Sequence, residues 1–314
     1  MMGVLLNVAL VLLFIGLAGW TVFARDTFAS VAGFIPYGLL LTAVWLRLVA
    51  VDVAITEAAI GAGLTGALLV GAAARLRATE AKVNRARPGV TTRMLAAIAS
   101  IVVAGIVAVC VLLLPDATPT LAPAVMENIH TTGVGNPITA VLLSFRAMDT
   151  LLEAIVLAFG LLGVWSLAPD RAWGGRPSLQ PIAAPNSILA HFARMLPPIG
   201  IVIGIYILWY GADHPGGKFQ GATILAAMWL LAMMAGLADV PRVGRIALRF
   251  WLVAGPLVFI AVGFAGAVLA DAFLAYPEGR AKLWIVAIEF ALMPSLALTL
   301  GLLLAGAPHR ALQK

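Results

Sequence analysis

The chain has 314 residues, of which 62% are hydrophobic and only 11% charged, with a formal net charge of +6. Soluble domains carry about 25% charged residues, so this composition excludes a soluble globular protein and gives an integral membrane protein. The positive balance is no nucleic-acid footprint, because the basic residues sit in short loops between apolar runs. The runs also lack the period-2 alternation of a transmembrane barrel. The expected fold class is all-α: a polytopic transmembrane helix bundle of about nine spans.

In chain order, spans are expected at 2–24, 28–47, 50–75, 94–114, 137–167, 195–211, 217–238, 250–272 and 282–306. The first lacks a basic leader and a small-residue cleavage site, and reads as a retained helix rather than a signal peptide. The longest linkers are 76–93, which is basic, 115–136, rich in Pro and Thr, and 168–194, rich in Pro, Gly and Arg. No soluble domain fits between spans. The single cysteine, Cys110, lies within a span, so no disulfide can form inside the chain. One cysteine and four scattered histidines give no ligand set for a metal or an embedded iron–sulfur cluster. No cofactor and no catalytic residue are expected.

The third span opens Val51-Asp52-Val-Ala-Ile-Thr-Glu57-Ala-Ala-Ile-Gly61. Asp52 stands near a helix N-terminus, where the dipole favours an anion, so it fits a helix cap as well as transport. Glu57 lies deeper, among small residues that let helices approach closely. It reads as a protonatable site at a helix interface or as a structural hydrogen bond.

The fifth span would be unbroken hydrocarbon but for Arg146, Asp149 and Glu153. Their spacing of i, i+3 and i+7 puts them on one helix face. Charges at bilayer depth cost several kcal/mol and mark transport paths or mutual pairing. Two carboxylates against one cation leave a proton or cation to be taken up. Glu153 is therefore the expected relay, with Arg146 setting carboxylate pKa values. The alternative is a self-neutralising cluster that locks helix packing. Just upstream, Gly133-Val-Gly135-Asn136-Pro137 reads as an external loop, with Pro137 opening the helix.

Between spans six and seven, Asp213-His214-Pro215-Gly216-Gly217-Lys218-Phe219-Gln220 carries a Pro-Gly-Gly turn signal. Lys218 either snorkels to the interface or stands in a pathway, and His214 is a further candidate beside it. In the last span Glu289 is the one internal charge. It needs a partner from another helix, or a proton.

Alternate loops concentrate charge on one side. Arg25, Arg75, Arg77, Lys82, Arg85, Arg87, Arg93, Arg171, Arg176, Arg194, Arg242, Arg245, Arg249, Arg310 and Lys314 all fall in one set of loops. The positive-inside rule then puts the C-terminus in the cytoplasm and the N-terminus outside.

These motifs also carry a family resemblance. Asp52-Val-Ala-Ile-Thr-Glu57-Ala-Ala-Ile-Gly-Ala-Gly-Leu resembles the C-terminal membrane region of the large A subunit of Mrp-type cation/proton antiporters, and a small membrane subunit of membrane-bound hydrogenases. The stretch from Asn136 to Glu153 resembles the following part of that region. Pro215-Gly-Gly-Lys-Phe-Gln-Gly, with four spans around it and Glu289, is similar to the B subunit of the same antiporters. The pattern departs from the family at Lys218, where a third glycine is usual, at Ala212, where a histidine is frequent, and at Ser144, where an aspartate is usual.

The resemblance implies a fusion of three modules: 1–93 with three spans, 94–190 with the Arg/Asp/Glu helix, and 191–314 with four spans. It implies an accessory, non-enzymatic subunit of a multisubunit, complex-I-like antiporter or ion pump, in a bacterial or archaeal cytoplasmic membrane. Glu57, Arg146, Asp149, Glu153, Lys218 and Glu289 would line its ion pathway, with Asp52 and His214 as possible members. The partners would be other Mrp-type membrane subunits, H⁺ or Na⁺, and the lipid bilayer, with no nucleic acid. The alternative implied role is a structural adaptor between antiporter-like subunits and a hydrogenase, dehydrogenase or inorganic-carbon uptake module.

Overall fold

A computed structural model describes residues 2–24, 26–83, 89–115, 120–179, 182 and 187–310. Arg25, Arg85, Arg87 and Lys314, which count toward the charge asymmetry, lie outside the described residues.

The fold is almost entirely helical, as the composition predicts. The elements are α1 (Met2–Phe23), α2 (Thr27–Arg47), α3 (Val51–Thr56), a π-helical segment (Glu57–Leu64), α4 (Thr65–Val83), α5 (Val90–Leu112) and α6 (Ala122–Thr132). There follow α7 (Pro137–Ala140), a second π-helical segment (Val141–Phe145), α8 (Ala147–Ser166), α9 (Ile188–Tyr210), α10 (Lys218–Met234), α11 (Ile246–Leu269) and α12 (Ala281–Ala305). Among the described residues, eight helices are long and apolar enough to cross a membrane, and α10 is a shorter apolar helix. At 17 residues α10 spans about 26 Å, a little under the hydrocarbon thickness of about 30 Å.

Three differences from the predicted spans have local causes. The sixth span starts at Ile188 rather than 195, because the Ser187 side chain accepts the Ala190 N–H and caps the helix there. The linker 115–136 contains α6, which has a proline in its first turn and ends at Gly133, whose φ of 67° is the left-handed stop of a helix. The third and fifth spans are not regular α-helices, since each carries a π-helical segment. Such segments cluster at functional sites.

The core sits around α12, two-thirds of whose most apolar stretch is buried. Ile285, Ile288 and Leu292 of α12 pack with Phe259 of α11, Leu143 of the second π segment and Leu151 of α8. Helices α9 and α10 cross closely at Gly204 and Gly221. A Cβ on Gly221 would stand 2.6 Å from the Gly204 carbonyl oxygen, so glycine is required for this close approach. By contrast, α5 has no buried residue and a mean hydropathy of 2.9. Its whole surface is left exposed by the rest of the chain.

The loops gather at two ends. At the basic end, Val243 and Gly244 donate N–H bonds to Gly175 and Gly174 (2.8 and 3.1 Å). Here β1 (Arg176–Pro177) pairs antiparallel with β2 (Pro308–Arg310), and Arg75 reaches Ser178 at 3.2 Å. At the opposite end, residues 133–136 meet the turn 211–217 and the start of α12. The described segments that carry Arg75, Arg176, Arg242 and Arg310 thus meet at one end.

Candidate functional site

The site is built on the turn between α9 and α10. Gly216 and Gly217 have φ of 150° and 140°, which favours glycine. A Cβ on Gly211 would stand 2.5 Å from the Gly217 nitrogen. The turn folds back against α9 and delivers α10 into the protein interior from its first residue.

Asn136 fastens this turn. Its side-chain oxygen accepts the Ile138 N–H at 2.9 Å and caps α7. Its Nδ2 donates to the carbonyls of His214 (2.9 Å) and Gly211 (3.3 Å), and to Asp52 Oδ1 (3.3 Å). The Thr139 hydroxyl donates to the Gly211 carbonyl at 2.6 Å. Asp52 Oδ1 also accepts the Gly216 N–H at 3.0 Å. Asp52 therefore clamps α3 to the turn rather than simply capping its own helix.

Outside this clamp, Asp213 accepts the Gly135 N–H at 3.0 Å and pairs with Lys282 at 2.6 Å. The hydrogen bond from Lys282 holds the Asp213 carboxyl below its ordinary pKa, helped by the Gly135 N–H.

Behind the clamp lies a chamber of about 250 Å³. Asp52, Thr56, Thr139, Glu153, Lys218, Gln220 and Glu289 are among its lining residues. Lys218 and Glu289 are only 4% and 2% exposed. The Lys218 backbone N–H approaches Glu289 Oε1 at 3.4 Å, and Glu289 Oε2 has no hydrogen-bond partner among the described residues. The Lys218 ammonium lies 5.3 Å from the centre of the Phe219 ring. It is within electrostatic reach of Glu289 and Glu153, yet among the described residues no direct ion pair joins them. Glu153 stands at the rim, with part of its side chain open to the outer surface. Gln220 donates to the Thr56 hydroxyl at 2.9 Å and ties the two walls together.

A second cleft, of about 340 Å³, opens at the non-basic end and is lined by Asp52, Asn136, Asp213 and His214. Asp52 is common to cleft and chamber.

The π segment of the fifth span shapes the chamber wall. Its irregular turn leaves carbonyls free, and side chains satisfy two of them: Thr150 donates to Leu142 O and Tyr276 to Leu143 O, each at 2.5 Å. Burial pushes the Tyr276 phenol well above its ordinary pKa, so it remains a donor.

Of the predicted site residues, the structure brings together Glu153, Lys218, Glu289 and Asp52. Lys218 does not snorkel; it is buried. Arg146 and Asp149 form an ion pair at 2.6 Å, with side chains 70% and 52% exposed. Neither lines the chamber expected of pathway residues: Asp149 faces outward and is neutralised by Arg146. Glu57 is half-buried in the first π segment, its carboxylate lying against Gly61, and it does not line the chamber. The His214 ring is stacked on Tyr210 at 4.2 Å outside the chamber, and only its carbonyl joins the clamp. No group of His, Cys, Asp and Glu among the described residues has the arrangement of a metal site.

Asn136, Thr139 and Thr56 were not singled out from the sequence. An asparagine directly before a helix-opening proline is the signal that marks Asn136.

The fold and the chamber define a polytopic helical membrane protein with ionisable groups held inside the bundle. Residues 12–78 match the MbhD family, the D subunit of MBH. Residues 188–307 match the "domain related to MnhB subunit of Na+/H+ antiporter". The chain thus carries an MbhD-matching segment and an MnhB-related segment in one polypeptide. Asp52 and Thr56 come from the first matched segment and Lys218, Gln220 and Glu289 from the second. Glu153 comes from the stretch between them.

The structure of an Mrp complex from Dietzia sp. DQ12-45-1b has a similar fold, with a TM-score of 0.72 at 22% identity over 98% of this chain. This chain spans 35% of the length of that one. A chain of the membrane-bound sulfane sulfur reductase, an archaeal respiratory membrane complex, is similar over 68% of this chain and 97% of its own, with a TM-score of 0.54 at 20% identity. No curated protein matches the sequence.

Proposed function

We propose that the chain is an accessory membrane subunit of a multisubunit Mrp-type or complex-I-like cation/proton antiporter or ion pump. Its chamber would carry protons or sodium ions part of the way across the membrane. The chamber itself carries this reading. It holds one buried cation, Lys218, between two carboxylates, Glu153 and Glu289, and one oxygen of Glu289 has no partner among the described residues. A buried acceptor without a partner is costly, and a proton, cation or water taken up there removes the cost. Asp52 links the chamber to the cleft at the non-basic end, which the positive-inside rule makes the outer side. Glu153, open to the protein surface, is where the path passes to a neighbouring subunit. The partners are other Mrp-type membrane subunits in a prokaryotic cytoplasmic membrane. On this reading each of the three modules, 1–93, 94–190 and 191–314, contributes residues to the chamber lining.

The test is exchange by the assembled complex carrying Glu153→Gln. Loss of coupled exchange with all subunits retained supports the pathway. Normal exchange removes Glu153 from it.

The exposed Arg146–Asp149 pair and the unpacked α5 favour a second role, as an adaptor whose charges hold partner subunits. Under that reading the same variant breaks the assembly rather than its transport.

A further inference from the structure

Two hollows adjoin at the basic end. The first is a cleft of about 560 Å³ lined by Arg176, Asp239, Arg242 and Arg245, with Gly174 and Gly244 in its floor. The second is an apolar slot of about 250 Å³ between α8 and α11, lined by Leu161, Leu162, Trp165, Trp173, Leu252 and Val253, with Arg249 at its edge. They meet because Trp173 lines the slot and the next residue, Gly174, lines the cleft. Arg249 also follows Arg245 by one helical turn.

We infer that this composite site holds an anionic phospholipid, with the phosphate in the arginine cleft and an acyl chain in the slot. Three observations support this occupant. The charge is complementary: Asp239 pairs with Arg176 at 3.7 Å, which leaves Arg242, Arg245 and Arg249 as net positive groups around the opening. Arg249 is oriented by its own bond to the Val243 carbonyl at 3.0 Å. Finally, the cleft stands at the start of α11, where the helix dipole favours an anion.

The geometry matches a lipid better than a soluble anion. The slot opens on the outer surface of the bundle, where Leu162 and Val253 are exposed. The arginines sit at the ends of the spans, where head groups lie. Basic pockets between transmembrane helices recognise acidic head groups in this way.

The experiment uses the chain within its purified complex. Bound lipid is read by native mass spectrometry, and thermal stability of the delipidated protein is read with phosphatidylglycerol, phosphatidylcholine or inorganic phosphate added. Phosphatidylglycerol should be retained and should raise the melting temperature, while phosphatidylcholine and phosphate leave it unchanged. Arg242→Gln with Arg245→Gln, both at exposed positions, should weaken phosphatidylglycerol retention about tenfold. Leu162→Trp should reduce retention with the arginines intact, because it fills the slot. Equal retention of phosphatidylcholine, equal stabilisation by inorganic phosphate, or retention untouched by these variants overturns the inference.

Discussion

Lys218 and Glu289 on the one hand, and Arg146 and Asp149 on the other, are two sets of opposite charges in or at the edge of apolar segments. The structure treats them in opposite ways. Arg146 and Asp149 pair at 2.6 Å on an exposed helix face, where they neutralise each other and leave nothing over. Lys218 and Glu289 are buried in one chamber without a direct ion pair, and one carboxylate oxygen has no partner among the described residues. A satisfied pair on a surface suits docking; an incompletely satisfied set in a cavity suits an exchangeable ion. The difference is set by the neighbouring elements. The glycine turn at 211–217 drives the start of α10 into the core, while the break at 141–145 leaves Arg146 facing outward.

The first way to break this contrast is Lys218→Met. Removing the single cation from between two carboxylates leaves uncompensated buried charge, and thermal unfolding of the complex should show a loss of roughly 3 kcal/mol. A neutral result would mean that the chamber groups do not depend on one another. Asn136→Ala comes next. It deletes the cap of α7 and the bonds to Gly211, His214 and Asp52, for about 2 kcal/mol of stability. Hydrogen exchange at residues 211–217 should rise in parallel, because the turn loses its fastening.

The smallest effect is expected at the exposed clamp of Asp213 and Lys282. The folded Asp213 pKa is depressed, so its contribution is complete above the ordinary aspartate value of about 3.9 and is lost as pH falls through the lower folded value. Both side chains are 45% exposed, and such pairs contribute less than about 1 kcal/mol. Asp213→Asn should therefore lower stability by less than about 1 kcal/mol at neutral pH, converge with the parent protein below the folded pKa, and so flatten the acid limb of the stability profile.

The sequence shows the helical class, the order of the apolar spans and the loops that share the basic end, because hydropathy and Lys/Arg bias are summed over many residues. It also marks Glu153, Lys218 and Glu289, since a charge in hydrocarbon is conspicuous singly. It does not show which charges converge. Glu57 and Glu289 are each a lone glutamate in an apolar helix, yet Glu289 is enclosed near Lys218 and Glu57 turns against Gly61. That depends on helix rotation, and a π-helical turn shifts rotation without a compositional signature. α6 was hidden within a Pro- and Thr-rich linker because its proline occupies the first turn, where the missing N–H costs nothing. Asn136 was hidden because its partners in the turn lie more than seventy residues away.

The central claim is that the chamber, and not the surface pair, carries the ion. The most direct measurement is ion-coupled proton exchange by the reconstituted complex with Glu289→Gln, beside the same complex with Arg146→Gln. The account predicts that Glu289→Gln lowers exchange by about a hundredfold or more with every subunit present, while Arg146→Gln leaves the exchange rate per assembled complex unchanged. Exchange that survives Glu289→Gln in an intact complex, or that vanishes equally in both variants, would contradict it.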